Sequence, residues 1–216
     1  MMDIWEPCSF WDELVLWLRM DEKSGETAFD HSAYTNHGTA YGAIPTGLGW
    51  NFDGNDYIDC GNDGNLSVGT HDFTIGAWVK GQYQNGTFIG KYFPYQLRYK
   101  DHKVQVYVYA NGEVKIPWQS TSTNVDDNKW HHIVWVCDRD AYSTLYVDGE
   151  ADGVPRDISQ YSGEDWSYNK NLVIGARDTT LVSPFIGYIA EVRIYNRALS
   201  AEEVKLSYDL NKGLFS

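Results

Sequence analysis

Five side chains between positions 96 and 109 carry the chemistry that best fits a ligand. Gln96 and Arg98 alternate with Leu97 and Tyr99, and Gln105, Tyr107 and Tyr109 alternate with Val104, Val106 and Val108. A strand sends successive side chains to opposite faces, so residues of one parity share a side. The polar run Lys100-Asp101-His102-Lys103 reads as a turn, which makes the two runs a hairpin. Its valine side belongs to the core, leaving Gln96, Arg98, Gln105, Tyr107 and Tyr109 on the exposed side. Tyrosine rings offer flat faces to the C–H surfaces of sugars, and the amide and guanidinium groups can bond their hydroxyls. Trp118, Trp166 and Tyr168 fall in loop-like segments able to rim this surface. A solvated sheet decorated with tyrosines, or a protein interface, would show the same pattern.

Other constellations are weaker. His131 and His132 are adjacent on a strand pattern and therefore face opposite sides, a poor arrangement for gripping one ion. Asp59-Cys60-Gly61-Asn62-Asp63-Gly64 faintly matches a calcium loop, but Gly61 stands where a ligand is needed and no flanking helices are expected. The stretch from Gly86 to Lys91 lacks the Walker spacing, and the sequence contains no Gly-x-Ser-x-Gly elbow. Glycoside hydrolysis needs two carboxyl groups roughly 5–9 Å apart. Asp138 and Asp140 share a parity but fall at a strand end, where turn formation explains them. The expectation is therefore a protein without catalysis.

Short strands must position these residues. Period-2 patterns recur at 14–18, 73–79, 95–99, 104–109, 133–137, 144–147, 172–174 and 185–195, separated by turns such as Asp53-Gly54-Asn55, Asn111-Gly112 and Asp148-Gly149. Many short strands with this punctuation indicate an all-β sandwich or barrel. One helix is expected, over about 201–208, because Ser200-Ala201-Glu202-Glu203 is a capping box. The 216 residues suit one large β domain, and 43% apolar residues supply its core. A net charge of -13 excludes nucleic acid as the main partner. No apolar run is long enough for membrane insertion. Three cysteines cannot all pair internally: Cys60 and Cys137 read as buried thiols, while Cys8 could pair between chains.

Seven segments, in order, resemble the laminin-G-like, concanavalin A-type jelly-roll family over roughly residues 14–208. They are Leu18-Arg19-Met20-Asp21-Glu22-Lys23-Ser24-Gly25 with the Asp30 to Thr39 stretch; Asn51-Phe52-Asp53-Gly54-Asn55-Asp56-Tyr57-Ile58; Phe73-Thr74-Ile75-Gly76-Ala77-Trp78-Val79; Trp130-His131-His132-Ile133-Val134; Leu145-Tyr146-Val147-Asp148-Gly149; and the run from Gly187 to Ser200, with Tyr195-Asn196-Arg197-Ala198-Leu199 at its end. The resemblance implies an all-β, two-sheet antiparallel jelly-roll sandwich with one short C-terminal helix. It also implies a structural Ca²⁺ at the rim, with Asp30, Asn36 and Glu191 as oxygen donors. Ala190 departs from the family there, where an Asp often precedes the Glu. The Glu-x-Asp-x-x-Glu strand of the family's glucanases is missing, as is any motif of its lyases.

The sequence thus reads as a 14–216 jelly-roll module behind a 1–13 arm. Its expected function is non-catalytic surface recognition, of carbohydrate in an adhesion role. The alternative is a structural virion protein, a capsid decoration or fibre subunit binding its neighbours; a polysaccharide-active enzyme is the third reading. Partners would be a glycan or a protein surface, in an extracellular setting or on a virion. The opening MMDIWEPCSFW shows no basic n-region followed by an apolar stretch, so no signal peptide is read there. Trp5, Phe10 and Trp11 give the arm aromatic bulk, so it is expected to form homo-oligomer or virion contacts, with docking on its own sandwich as the rival.

Overall fold

A computed structural model of the chain describes residues 11–82, 85–92 and 94–216. The first half contributes β1 (Leu14–Leu18), β2 (Thr27–Ala28), β3 (Gly38–Tyr41), β4 (Ile44–Pro45), β5 (Trp50–Asp53), β6 (Tyr57–Asp59), β7 (Phe73–Gln82), β8 (Gly86–Gly90) and β9 (Gln96–Lys100). The second half contributes β10 (Lys103–Ala110), β11 (Glu113–Ser120), β12 (Asp127–Cys137), β13 (Tyr142–Val147), β14 (Glu150–Ala151), β15 (Arg156–Asp157), β16 (Val173–Ile174), β17 (Ile186–Tyr195) and the helix α1 (Ala201–Asn211).

These strands form two antiparallel sheets. One runs β14-β13-β12-β7-β17-β5-β4, with β1 also paired to β17 and β15 to β13; the other runs β11-β10-β9-β8-β16-β6-β3-β2. The result is the expected all-β jelly-roll sandwich. The expected hairpin is present as β9 and β10, with Gln105 opposite Arg98 and Tyr107 opposite Gln96. At Asn111-Gly112 and Asp148-Gly149 both residues have positive φ (54° and 79°; 52° and 83°), the left-handed pair that a two-residue hairpin turn requires.

The core lies between the sheets. Ile75, Ala77, Val79, Ile133 and Trp135 meet Leu97, Tyr99, Val104, Val106 and Val108 in one buried cluster. Phe73 meets Trp135 edge-on at 5.1 Å. Alternate residues of the first sheet point the other way, and these are apolar too. Val134, Val136, Tyr146 and Tyr195 form a second cluster with Leu199 and Val204. Trp78 and Ala190 form a third with Phe215. The helix and the residues after it lie over this outer face. Ser200 accepts from the Glu203 amide at 3.2 Å, and its own amide donates to Glu203 Oε2 at 2.8 Å. The capping box is thus formed, and the helix runs on from Tyr208 to Asn211. Arg197 reinforces the start of the helix, bonding both Glu203 oxygens at 2.9 and 2.7 Å.

The histidine pair splits as expected. His132 is buried against Trp78 and Tyr208, while His131 bonds Asp148 and Asp127. Cys60 and Cys137 are buried free thiols. Most of the arm, including Trp5, Cys8 and Phe10, lies outside the described residues. Trp11 lies against its own sandwich, 5.0 Å from the Trp17 ring and under the Arg193 guanidinium at 5.5 Å.

Candidate ligand face

Among the described residues no helix packs on the outer side of the second sheet, and that side carries the hairpin's polar residues. Arg98 donates from Nη2 to Gln105 Oε1 at 3.0 Å. Its guanidinium lies 3.3 Å from the centre of the Trp118 ring. Trp118 in turn stacks on Tyr107 at 4.5 Å and 26°. A planar cation pressed against an indole is held by cation–π attraction, and Gln105 fixes its rotation. Four of the predicted residues therefore form one cluster, with Trp118 37% exposed. Tyr109 is half-buried on the same side, two residues along the strand. Burial pushes the Tyr107 phenol upward, keeping it neutral and able to donate or accept. Burial also lowers the Arg98 pKa, opposed by Asp101, but an arginine keeps its proton at neutral pH.

Two predicted residues stand elsewhere. Gln96 is buried, and its amide donates to the Tyr92 carbonyl at 3.1 Å, so it braces a loop. Trp166 is 1% exposed and is corrected from a rim residue to a core one. It lies under the Arg139 guanidinium at 3.4 Å, and only its edge reaches the floor of a hollow. That hollow, about 440 Å³, is walled by Tyr109, Asn111, Gly112, Ser167 and Tyr168.

The loop holding Tyr168 is clamped by two buried cations. Arg139 donates to the carbonyls of Tyr161 and Glu164 at 2.8 and 2.7 Å. Lys115, on β11, reaches Glu164 at 2.9 Å, and this bond raises the Lys115 pKa despite burial. Lys115 has an ionic partner and Arg139 has carbonyl acceptors, and such partners offset the cost of burying a charge. Tyr168 then stacks on Tyr92 at 6.0 Å and 17°. Residues 160–171 have no hydrophobic period, so sequence reasoning offered Tyr168 only as a rim residue and missed Tyr92. Nothing in the spacing showed that the two loops meet.

The rim residues expected to hold Ca²⁺ do not fit that ion. Asp30 accepts from the amides of Trp17, Ser32 and Asn36 and from the Ser32 hydroxyl, at 2.7–2.9 Å, so both its oxygens organise the loop. Asn36 donates to the Val15 carbonyl and to Asn65 Oδ1. Glu191 is held by Arg193 at 2.8 Å and by the Trp17 indole at 2.9 Å. A cation would have to displace these donors. Among the described residues no group of three His, Cys, Asp or Glu side chains is placed to hold a metal. The loop the family pattern marks is held together by protein N–H and O–H groups that donate to Asp30.

The chain is thus a two-sheet jelly roll with one face sealed by a helix and the other presenting a stacked indole, phenol and guanidinium. The family model described as the concanavalin A-like lectin/glucanases superfamily, Laminin_G_3, matches residues 52–205, and the chain belongs to that family. Comparison with curated proteins finds no match. Among solved structures, the binding domain of Paraclostridial Mosquitocidal Protein 1 superposes with a TM-score of 0.74 at 16% identity, covering 93% of this chain and 53% of that one. The binding domain of botulinum neurotoxin serotype D gives 0.69 at 16% identity, covering 94% and 52%. Domain 4 of AbnA, a GH43 extracellular arabinanase from Geobacillus stearothermophilus solved in complex with arabinotriose, gives 0.67 at 17% identity, covering 89% and 97%. The chain spans about half the length of the two toxin domains. Identities this low establish a shared fold.

No described helix is long and apolar enough to cross a membrane.

Proposed function

We propose that this chain is a non-catalytic carbohydrate-binding module working outside the cell, which holds an oligosaccharide on the outer face of the β8–β11 sheet. The carrying observation is the Arg98–Trp118–Tyr107 stack with Gln105 at its side. A sugar ring laid on Trp118 gains an apolar contact, while Gln105, Arg98 and the Tyr107 hydroxyl meet its equatorial hydroxyls. Trp118 keeps 37% of its surface exposed beside the guanidinium and the phenol, and that part of the indole is open to the sugar. Adhesion to a glycan-coated surface follows from such binding.

Two similar folds named as binding domains, and a third, Domain 4 of an arabinanase, solved with arabinotriose, support this reading. The test is a glycan array followed by titration of the best neutral oligosaccharide, read by tryptophan fluorescence. Trp118→Ala is expected to weaken binding about tenfold or more, the loss of one anchoring aromatic. Unchanged affinity in that variant would move the site away from this face.

A further inference from the structure

Beyond the Arg98–Trp118–Tyr107 stack, the same face continues toward a second cleft. From Trp118 and Tyr107 it passes Tyr109 and the hollow walled by Tyr168, whose ring lies against Tyr92. Tyr92 lines a second cavity, of about 390 Å³, together with Lys170, Asn171, Arg177 and Asp178. Two cations converge there: the Arg177 guanidinium lies 5.1 Å and the Lys170 ammonium 5.5 Å from the Tyr92 ring centre.

We propose that this cleft binds an acidic substituent of a sugar, so that the module recognises an anionic glycan lying along the track from Trp118 to Tyr92. The inference rests on the glycan-binding reading and adds its charge class. Four observations carry it. The cleft's one carboxylate is already used, since Asp178 accepts from the Thr180 amide at 2.9 Å, from the Thr180 hydroxyl and from Arg177 Nε at 3.0 Å. That leaves the outer nitrogens of Arg177 for a ligand, while Lys170 is in no ion pair among the described residues. Asn171, which lines the cleft, donates from its amide to both oxygens of Asp59 at 2.9 and 2.8 Å, so its orientation is fixed. The loop bearing Lys170 is fixed from below. Buried Lys91 donates to Asn62 Oδ1 at 2.9 Å, and Asn62 donates to Asn169 Oδ1 at 2.5 Å. Two cations held beside an aromatic wall suit a planar carboxylate or a sulfate on a ring. A net charge of -13 makes this local cationic end conspicuous, because the rest of the molecule repels anions.

The experiment compares a galacturonic acid oligomer with the same oligomer fully methyl-esterified, which keeps the rings and removes the charge. A sulfated galactan oligomer is the third probe. The wild-type chain is expected to bind at least one anionic oligomer about tenfold more tightly than the neutral ester, with the advantage falling as salt rises. Arg177→Gln with Lys170→Gln should abolish that advantage and leave binding of the neutral ester where it was. Carboxylate or sulfate preference then follows from which anionic probe is held. Equal or weaker binding of both anionic oligomers, or a preference that survives the double substitution, overturns the proposal. Failure of all three probes also overturns it, while Trp118→Ala on the best neutral array hit still decides separately whether the face binds glycan.

Discussion

The outer faces of the two sheets are built from the same alternating strands and end in opposite environments. On the first sheet the outward residues are Trp78, Val134, Val136, Tyr146 and Tyr195, and the helix with its following residues buries them. On the second they include Arg98, Gln105, Tyr107 and Tyr109, and among the described residues no helix covers them. The difference lies in the chemistry at alternate positions. An apolar outer face must be capped to fold in water, whereas an amphipathic one of rings, amides and a guanidinium stays wet and remains available. One face therefore supports stability and the other recognition, and substitutions should separate the two.

The largest effect on stability is expected beneath the helix. Trp78 is 2% exposed and stacks on Phe215 at 4.5 Å and Tyr208 at 5.6 Å. Trp78→Ala should cost about 3–5 kcal/mol in denaturant unfolding while leaving glycan affinity unchanged under conditions where the variant is folded. A loss of affinity with no loss of stability would reverse the roles assigned to the faces.

Between the faces, at the rim, Asp30 joins the first strand to the loop leading to β3. Asp30→Ala leaves the Trp17, Ser32 and Asn36 amides without their acceptor, at a cost of about 1–3 kcal/mol. The melting-temperature drop should be the same in calcium and in chelator. A drop seen only in calcium would restore the metal to this loop.

The covered face should also set the acid sensitivity. Burial lowers the His132 pKa from 6.5 to about 3, with Arg193 adding to the effect. The unfolded chain takes up this proton below pH 6.5 and the folded chain does not. Stability should therefore fall as pH drops from 6.5 towards 3, by about 1.4 kcal/mol per pH unit. His131 has the opposite sign. Burial works against its charge, but Asp148 and Asp127 raise its pKa, so its contribution is complete below 6.5 and is lost as pH rises through the raised value. Asp127 is lowered to about 2, because hydrogen bonds from Lys129 and His131 overcome its burial, and it costs stability only below 3.8. Equilibrium unfolding across this range should show a flatter profile in His132→Phe. An unchanged slope would mean that His132 is not the group responsible.

The smallest effect is at the start of the helix. Ser200→Ala should cost about 0.5–2 kcal/mol, measured by thermal unfolding, and glycan binding should not respond. A variant as stable as its parent would mean that Arg197 and Glu203 hold the helix start without the cap.

The strands that carry the ligand face were readable because their alternation is undisturbed from Val104 to Tyr109. The helix start was readable because the capping box is a local device, complete within four residues. Other parts lacked such a signal. β11 contains Pro117, and its pairing with β10 shifts register twice, so its pattern of exposure has no period 2. β8, with glycine at both ends, offers little alternation. Trp166 and Tyr168 are two residues apart in one loop, yet one lies beneath Arg139 and the other on the surface. That outcome depends on Arg139 and Lys115, which arrive from distant strands. The hydrogen bonds of Asp30 were hidden for a related reason: an aspartate that builds a loop by accepting hydrogen bonds and one that builds it around calcium look the same in sequence.

The central claim is that recognition resides on the outer face of the β8–β11 sheet and stability beneath the helix. Its most direct test is to titrate Trp118→Ala and the wild-type chain with the best neutral oligosaccharide from an array, alongside their unfolding curves. The account predicts a loss of affinity of about tenfold or more with a stability change of about 1 kcal/mol or less. Wild-type affinity in a folded Trp118→Ala variant would contradict it.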